Sequence, residues 1–96
     1  MSTEAAGTSL LQVTVVTPEG ELWSGAATAV TVPAATGSLG ILPRRQPLAT
    51  ELRNGTVTIH TPSGDSVSCT VTGGFVVVDQ DEVTVIADGV ETPAER

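Results

Sequence analysis

Turn-forming residues cut this chain into short segments, and that restricts its fold more than anything else in it. Pro18-Glu19-Gly20, Pro33, Gly37, Gly40, Pro43, Pro47, Asn54-Gly55, Pro62-Ser63-Gly64-Asp65 and Gly73-Gly74 punctuate it along most of its length. The segments between them have the two-residue period of strands. Leu11, Val13 and Val15 share one side of residues 10–17, and Gln12 and Thr14 the other. Val67, Cys69 and Val71 alternate with Ser66, Ser68 and Thr70 in the same way. Residues 22–32 read as one extended stretch with a bulge or bend at Ser24-Gly25, ended by Pro33. Residues 75–78 are wholly apolar, bounded by Asp79-Gln80-Asp81, and residues 83–87 close the set. Asn54-Gly55 carries the strongest hairpin signal, because both residue types tolerate positive φ. It predicts a turn between strands at 48–53 and 56–61, with Gly73-Gly74 as a further strand break. Short strands with turns every ~8–12 residues indicate an antiparallel sandwich or barrel.

Composition removes several functions. Ninety-six residues make one domain with a modest core. With 40% hydrophobic but only 2% aromatic residues, that core must come from Val, Ile, Leu and Ala. No apolar run approaches the ~20 residues of a membrane span, and no signal peptide is evident, so a soluble cytosolic chain is expected. A net charge of −7 argues against nucleic acid or an anionic membrane as partner. The four basic residues are all arginines, Arg44, Arg45, Arg53 and Arg96. Biotinyl and lipoyl carrier domains need a lysine amine, so that class is excluded.

The polar candidates for chemistry have simpler readings. His60, the one histidine, falls on the polar side of its strand, and with one cysteine it cannot assemble a zinc set. Cys69 reads as a small core residue and forms no internal disulfide. Asp79, Asp81 and Glu82 form an acidic turn without the rest of a calcium loop. Asn54-Gly55-Thr56 matches a glycosylation sequon but is better explained as a turn, and Gly73-Gly74 lacks the lysine and helix start of a phosphate loop. No catalytic, metal-binding or cofactor-binding residue is expected.

The remaining candidate is the run Gly37-Ser38-Leu39-Gly40-Ile41-Leu42-Pro43, closed by Pro47-Leu48. It reads as a rigid, apolar-tipped docking loop, with Leu39 and Ile41 on one core-facing side. Two of the chain's four cations, Arg44 and Arg45, lie inside it. Rigid scaffolds commonly present partner contacts from such loops.

The order Val16-Thr17-Pro18-Glu19, Trp23-Ser24-Gly25, Val32-Pro33, the Gly37–Pro43 run, Pro47-Leu48, Gly73-Gly74-Phe75 and Val83-Thr84-Val85-Ile86-Ala87-Asp88 resembles the epsilon subunit of bacterial rotary ATP synthase. The resemblance covers residues 11–88. It implies an all-β, flattened sandwich of about ten short strands over residues 10–88, between a flexible terminus at 1–9 and a short tail at 89–96. It implies a non-catalytic rotor subunit at the cytoplasmic face of the membrane, joining the gamma subunit to the ring of c subunits. Ser38, Leu42, Arg44, Arg45 and Gln46 would then face the c-ring, and Thr17 and Thr50 the gamma subunit.

Three departures from the family pattern stand out. Ser38 replaces a common glutamate, and Arg44-Arg45-Gln46 replaces a common Gly-His-Ala. Both changes make the loop more positive. The eight residues after Asp88 are too few for the family's two-helix hairpin, so neither its inhibitory action nor its nucleotide site is carried over. The competing reading is a free-standing β-sandwich binding module, immunoglobulin-like or carbohydrate-binding, which explains the strands but not the ordered motifs.

Overall fold

The computed structural model describes residues 9–91, and among these there are eight strands and no helix. They are β1 (Leu11–Thr17), β2 (Gly20–Ala27), β3 (Ala29–Ala34), β4 (Gly37–Ile41), β5 (Leu48–His60), β6 (Ser66–Asp79), β7 (Glu82–Ala87) and β8 (Val90–Glu91). Hydrogen bonding links them in the order β2-β1-β7-β6-β5-β3-β4, with β8 added to β6. All pairs are antiparallel except β1 with β7.

The long hairpin of β5 and β6 turns this path into a sandwich. Residues 48–52 and 74–79 build one layer with β7, β1 and β2, and residues 54–60 and 66–72 build the other with β3, β4 and β8. Each long strand thus serves both layers, which reconciles eight strands with the expected count of about ten. Between the halves the inward-facing positions change parity. Leu52, Val76 and Val78 point inward in the first layer, and Val57, Ile59, Cys69 and Val71 in the second. Arg53 and Asn54 are consecutively exposed at the switch, where Leu52 pairs with Gly74 and Asn54 with Thr72 on either side of Gly73. Those glycines have φ of +102° and +134°, which side chains of L-residues rarely adopt, and they supply the reversal.

Four local expectations are corrected. Asn54-Gly55 makes no hairpin but continues β5 without positive φ, and the glycine there serves close approach: a Cβ would stand 2.8 Å from the Pro33 ring. Gly73-Gly74 bends β6 without ending it. The extended stretch 22–32 is two strands broken at Thr28, whose amide and hydroxyl both donate to the carbonyl of His60. Gly25 is not a bulge: it accommodates the Trp23 indole, whose ring lies 2.9 Å from an ideal Cβ there. The register shift falls instead between Val15 and Val16.

One apolar cluster fills the interior. Its fully buried members include Leu11, Val13, Val30, Ile41, Val71 and Val85. Leu39 packs partly buried against it, so the expected common face for Leu39 and Ile41 is present. At about 25 cal/mol per Å² of apolar surface removed from water, these valines, leucines and isoleucines are the main stabilising contribution.

Candidate functional site

The run 37–48 is only half a loop. Its first five residues form β4, paired with β3 through the two-residue turn Ala35-Thr36. The remaining connection, 42–47, crosses from one layer to the other. Leu42, Arg44, Arg45 and Gln46 project from it together, and Leu42 is 60% exposed. Ser38 is exposed too, but at the far end of β4, about 13 Å away at 3.3 Å per residue.

The connection is held from below by the β6–β7 turn. Pro43 followed by Arg44 at φ +69° is the pattern of a type II turn, whose third position favours glycine. Arg44 tolerates that conformation with its backbone N–H donating to Asp81 Oδ1 at 2.7 Å and its Nε donating to Ser9 Oγ at 3.0 Å. Asp81 and Gln80 form the two-residue turn, with φ of +64° and +49° in the type I′ manner. The two arginines are both exposed but differ in how they are held. Arg44 is tied to the body through its backbone N–H and Nε, whereas among the described residues Arg45 has a long 3.4 Å side-chain bond to the carbonyl of Gln46.

A second surface was not legible as one in the sequence. Only Val76 and Val78 of the apolar segment 75–78 are buried; Phe75 and Val77 face outward, 49% and 39% exposed. Strand register sets Phe75 beside Ile86, which is 44% exposed, and Ile86 beside Val16. Glu21 pairs with Val16 at one end of this row and Glu51 with Phe75 at the other. The outer face thus carries a transverse apolar row with a carboxylate at each end. Thr17 follows Val16 and Thr50 precedes Glu51, so the expected gamma-facing positions adjoin the row in sequence, but the side chain of Thr50 alternates to the inward side of its strand. Thr17 itself is tied into its turn, donating to the Gly20 carbonyl at 3.1 Å, and Thr50 is half-buried opposite Val76.

Among the described residues no group of three or more His, Cys, Asp or Glu is placed to hold a metal ion. His60 is exposed, with Nδ1 3.3 Å from Ser66 Oγ. Cys69 is buried as expected, on an apolar cavity of about 200 Å³ lined also by Val15, Trp23, Ile59 and Val67. Burial pushes its thiol pKa up, because desolvation disfavours the thiolate. The chain has no lysine or tyrosine, so apart from the arginines Cys69 is the only side chain that loses a proton in the alkaline range. Its stabilising contribution is complete below the unfolded-state pKa and is lost as pH rises through the higher folded value. Denaturant melts should show stability falling above about pH 8.5, and Cys69→Ala should remove that decline. An equal decline in the variant would show that the thiol is not its source.

Residues 10–93 match the family described as the ATP synthase Delta/Epsilon chain, beta-sandwich domain. The chain belongs to this family. It is 47% identical over 79 residues to ATP synthase epsilon chain 2 of Ralstonia nicotianae, covering 82% of this chain and 57% of that one. It is 40% identical over 77 residues to the ATP synthase epsilon chain of Micrococcus luteus, covering 80% and 85%. The chain spans 57–61% of the length of several such epsilon chains. The fold is shared with a chain of the Euglena gracilis mitochondrial ATP synthase OSCP/F1/c-ring assembly, at TM-score 0.83 and 17% identity over 100% of this chain and 62% of that one. It is shared too with a chain of the Tetrahymena thermophila mitochondrial ATP synthase central stalk and c-ring, at TM-score 0.71 and 20% identity over 90% and 72%. As in the family, the sandwich is all-β and occupies nearly the whole of the described chain.

Proposed function

We propose that this epsilon-type sandwich is a non-catalytic rotor element of ATP synthase, joining the gamma subunit to the c-ring at the cytoplasmic face of the membrane. The observation that carries the reading is a stiff body with two separate surfaces. The connection 42–47 and the β6–β7 turn lie at one end of the first layer. The apolar row Val16–Ile86–Phe75 lies four residues further along the strands, about 13 Å away. A coupler needs two such sites on a body that does not yield between them, and continuous ladders through β5 and β6 provide that body.

The end loop suits the c-ring, a partner whose exposed connections would carry carboxylates to meet Arg45. The side face suits gamma, through an apolar ridge flanked by basic groups that meet Glu21 and Glu51. No nucleotide or metal has a part in this role.

The test is co-purification of gamma and the c-ring with the tagged chain. Arg45→Glu reverses the presented charge and should weaken ring binding about tenfold or more, with gamma binding retained. Ring binding unchanged in Arg45→Glu would remove the loop from the interface. Failure to retain either subunit with the unmodified chain would overturn the whole reading.

A further inference from the structure

We infer that Asp81 is the positioning residue of the docking loop: its carboxylate latches the Arg44 amide, fixing the connection 42–47 so that Arg45, not Arg44, is the cation offered to a partner. Three segments meet at this residue. Its Oδ1 accepts the Arg44 N–H at 2.7 Å, and its backbone carbonyl accepts the Gln12 N–H at 2.8 Å at the start of β1. Arg44 then closes the group by donating from Nε to Ser9 Oγ at 3.0 Å.

The geometry explains why a latch is needed. Arg44 lies at φ +69°, in the left-handed region where a β-carbon crowds the carbonyl oxygen. Glycine at that position would adopt the conformation free of the penalty. With arginine there, the loop would relax to another shape unless something held the amide. A carboxylate accepting that amide is a strong, charge-assisted bond, and 2.7 Å is at the short end of the range. Gln80 and Asp81 are themselves at positive φ, and their turn is fixed by the Asp79–Glu82 pair of the β6–β7 ladder. The acceptor is therefore mounted on sheet rather than on another loop. The consequence is a division of labour between adjacent arginines, one structural and one presented. That the presented one meets the c-ring rests on the proposed function; the latch itself does not.

Limited trypsin digestion of the isolated protein tests it. With no lysine, the internal cleavage positions are Arg44, Arg45 and Arg53, and Arg53 lies within β5. Cleavage after Arg44 and Arg45 should be slow in the native chain and about tenfold faster in Asp81→Ala. Asp81→Asn, which keeps an acceptor oxygen but not the charge, should fall between. Asp81→Gly supplies the control for folding: glycine suits the turn's positive φ, so the body should remain folded while the loop is released. Amide exchange at Arg44 reads the bond directly and should quicken in all three variants. Unchanged cleavage and unchanged Arg44 exchange in Asp81→Gly and Asp81→Asn would overturn the latch. Ring binding separates the two readings. Faster cleavage with weaker ring binding supports both, whereas faster cleavage with ring binding intact leaves the latch standing and removes this loop from the ring interface.

Discussion

Gly74→Ala is expected to remove a large part of the stability of the fold. Gly74 sits where β6 passes from one layer to the other, paired with Leu52 of β5 on one side and Ala87 of β7 on the other. Its φ of +134° is a region that residues with a β-carbon scarcely enter. A Cβ there would overlap the carbonyl oxygen of Ile86 and stand 3.0 Å from Ala87 Cα, both backbone atoms of the central sheet that cannot swing aside. Strain and overlap together should cost about 4 kcal/mol or more, against the ~5–10 kcal/mol that holds a domain of this size together. Urea unfolding followed by circular dichroism measures it. Gly64→Ala is the matched control, because Gly64 also has positive φ, +97°, but open space around it. It should lose only about 1 kcal/mol. A Gly74→Ala protein melting within a few degrees of the parent would show that the layer switch does not depend on glycine.

That position also shows how much of the molecule was legible in the sequence. The two-residue period identified β1 and the first half of β6 with their buried sides, because alternation is imposed locally by the pleat. The turns at Pro18-Glu19 and Pro62-Ser63-Gly64-Asp65 were equally plain, since their residues make a turn whatever surrounds them. Asn54-Gly55 was misleading for the opposite reason. Its preference for a hairpin is intrinsic, but an uninterrupted β5 keeps its ladder with β6 on both sides of the pair, and Gly55 instead makes room for Pro33 of β3. The type I′ turn is made instead by Gln80-Asp81, residues with a weaker preference for it, because the β6–β7 ladder leaves two residues between Asp79 and Glu82. Gly73-Gly74 gave the right location and the wrong event.

The candidate site divided in a similar way. The prolines and arginines marked the exposed connection 42–47 directly. Nothing local tied Arg44 to Asp81, 37 positions later, or set three apolar residues from β1, β7 and β6 in one exposed row. One signal for the row was present. Phe75 and Val77 alternate with Val76 and Val78, and a strand with both sides apolar has either two buried faces or one buried face and one interface.

Phe75→Glu combined with Ile86→Glu should separate those alternatives. Both side chains are about half exposed on the outer face, and neither belongs to the buried core, so the sandwich should remain folded. Surface changes of this kind usually alter stability by less than about 0.5 kcal/mol each. Two carboxylates placed between Glu21 and Glu51 would turn an apolar row with acidic ends into four charges, with only Val16 left between them. A partner ridge shaped to bury apolar surface would then have to desolvate unpaired charge. Central aromatic anchors typically carry ~2–4 kcal/mol of an interface, so gamma binding should fall by about 30-fold to 1,000-fold. Ring binding should be unchanged, because the loop and its latch lie about 13 Å along the strands. Calorimetry with purified gamma, and co-purification with the ring, provide the two readouts. Loss of both subunits from a folded variant would mean that the surfaces are not independent. Retention of gamma at parental affinity would mean that the row is not its docking face, and would return the gamma contact to the rim around Thr17 and Thr50.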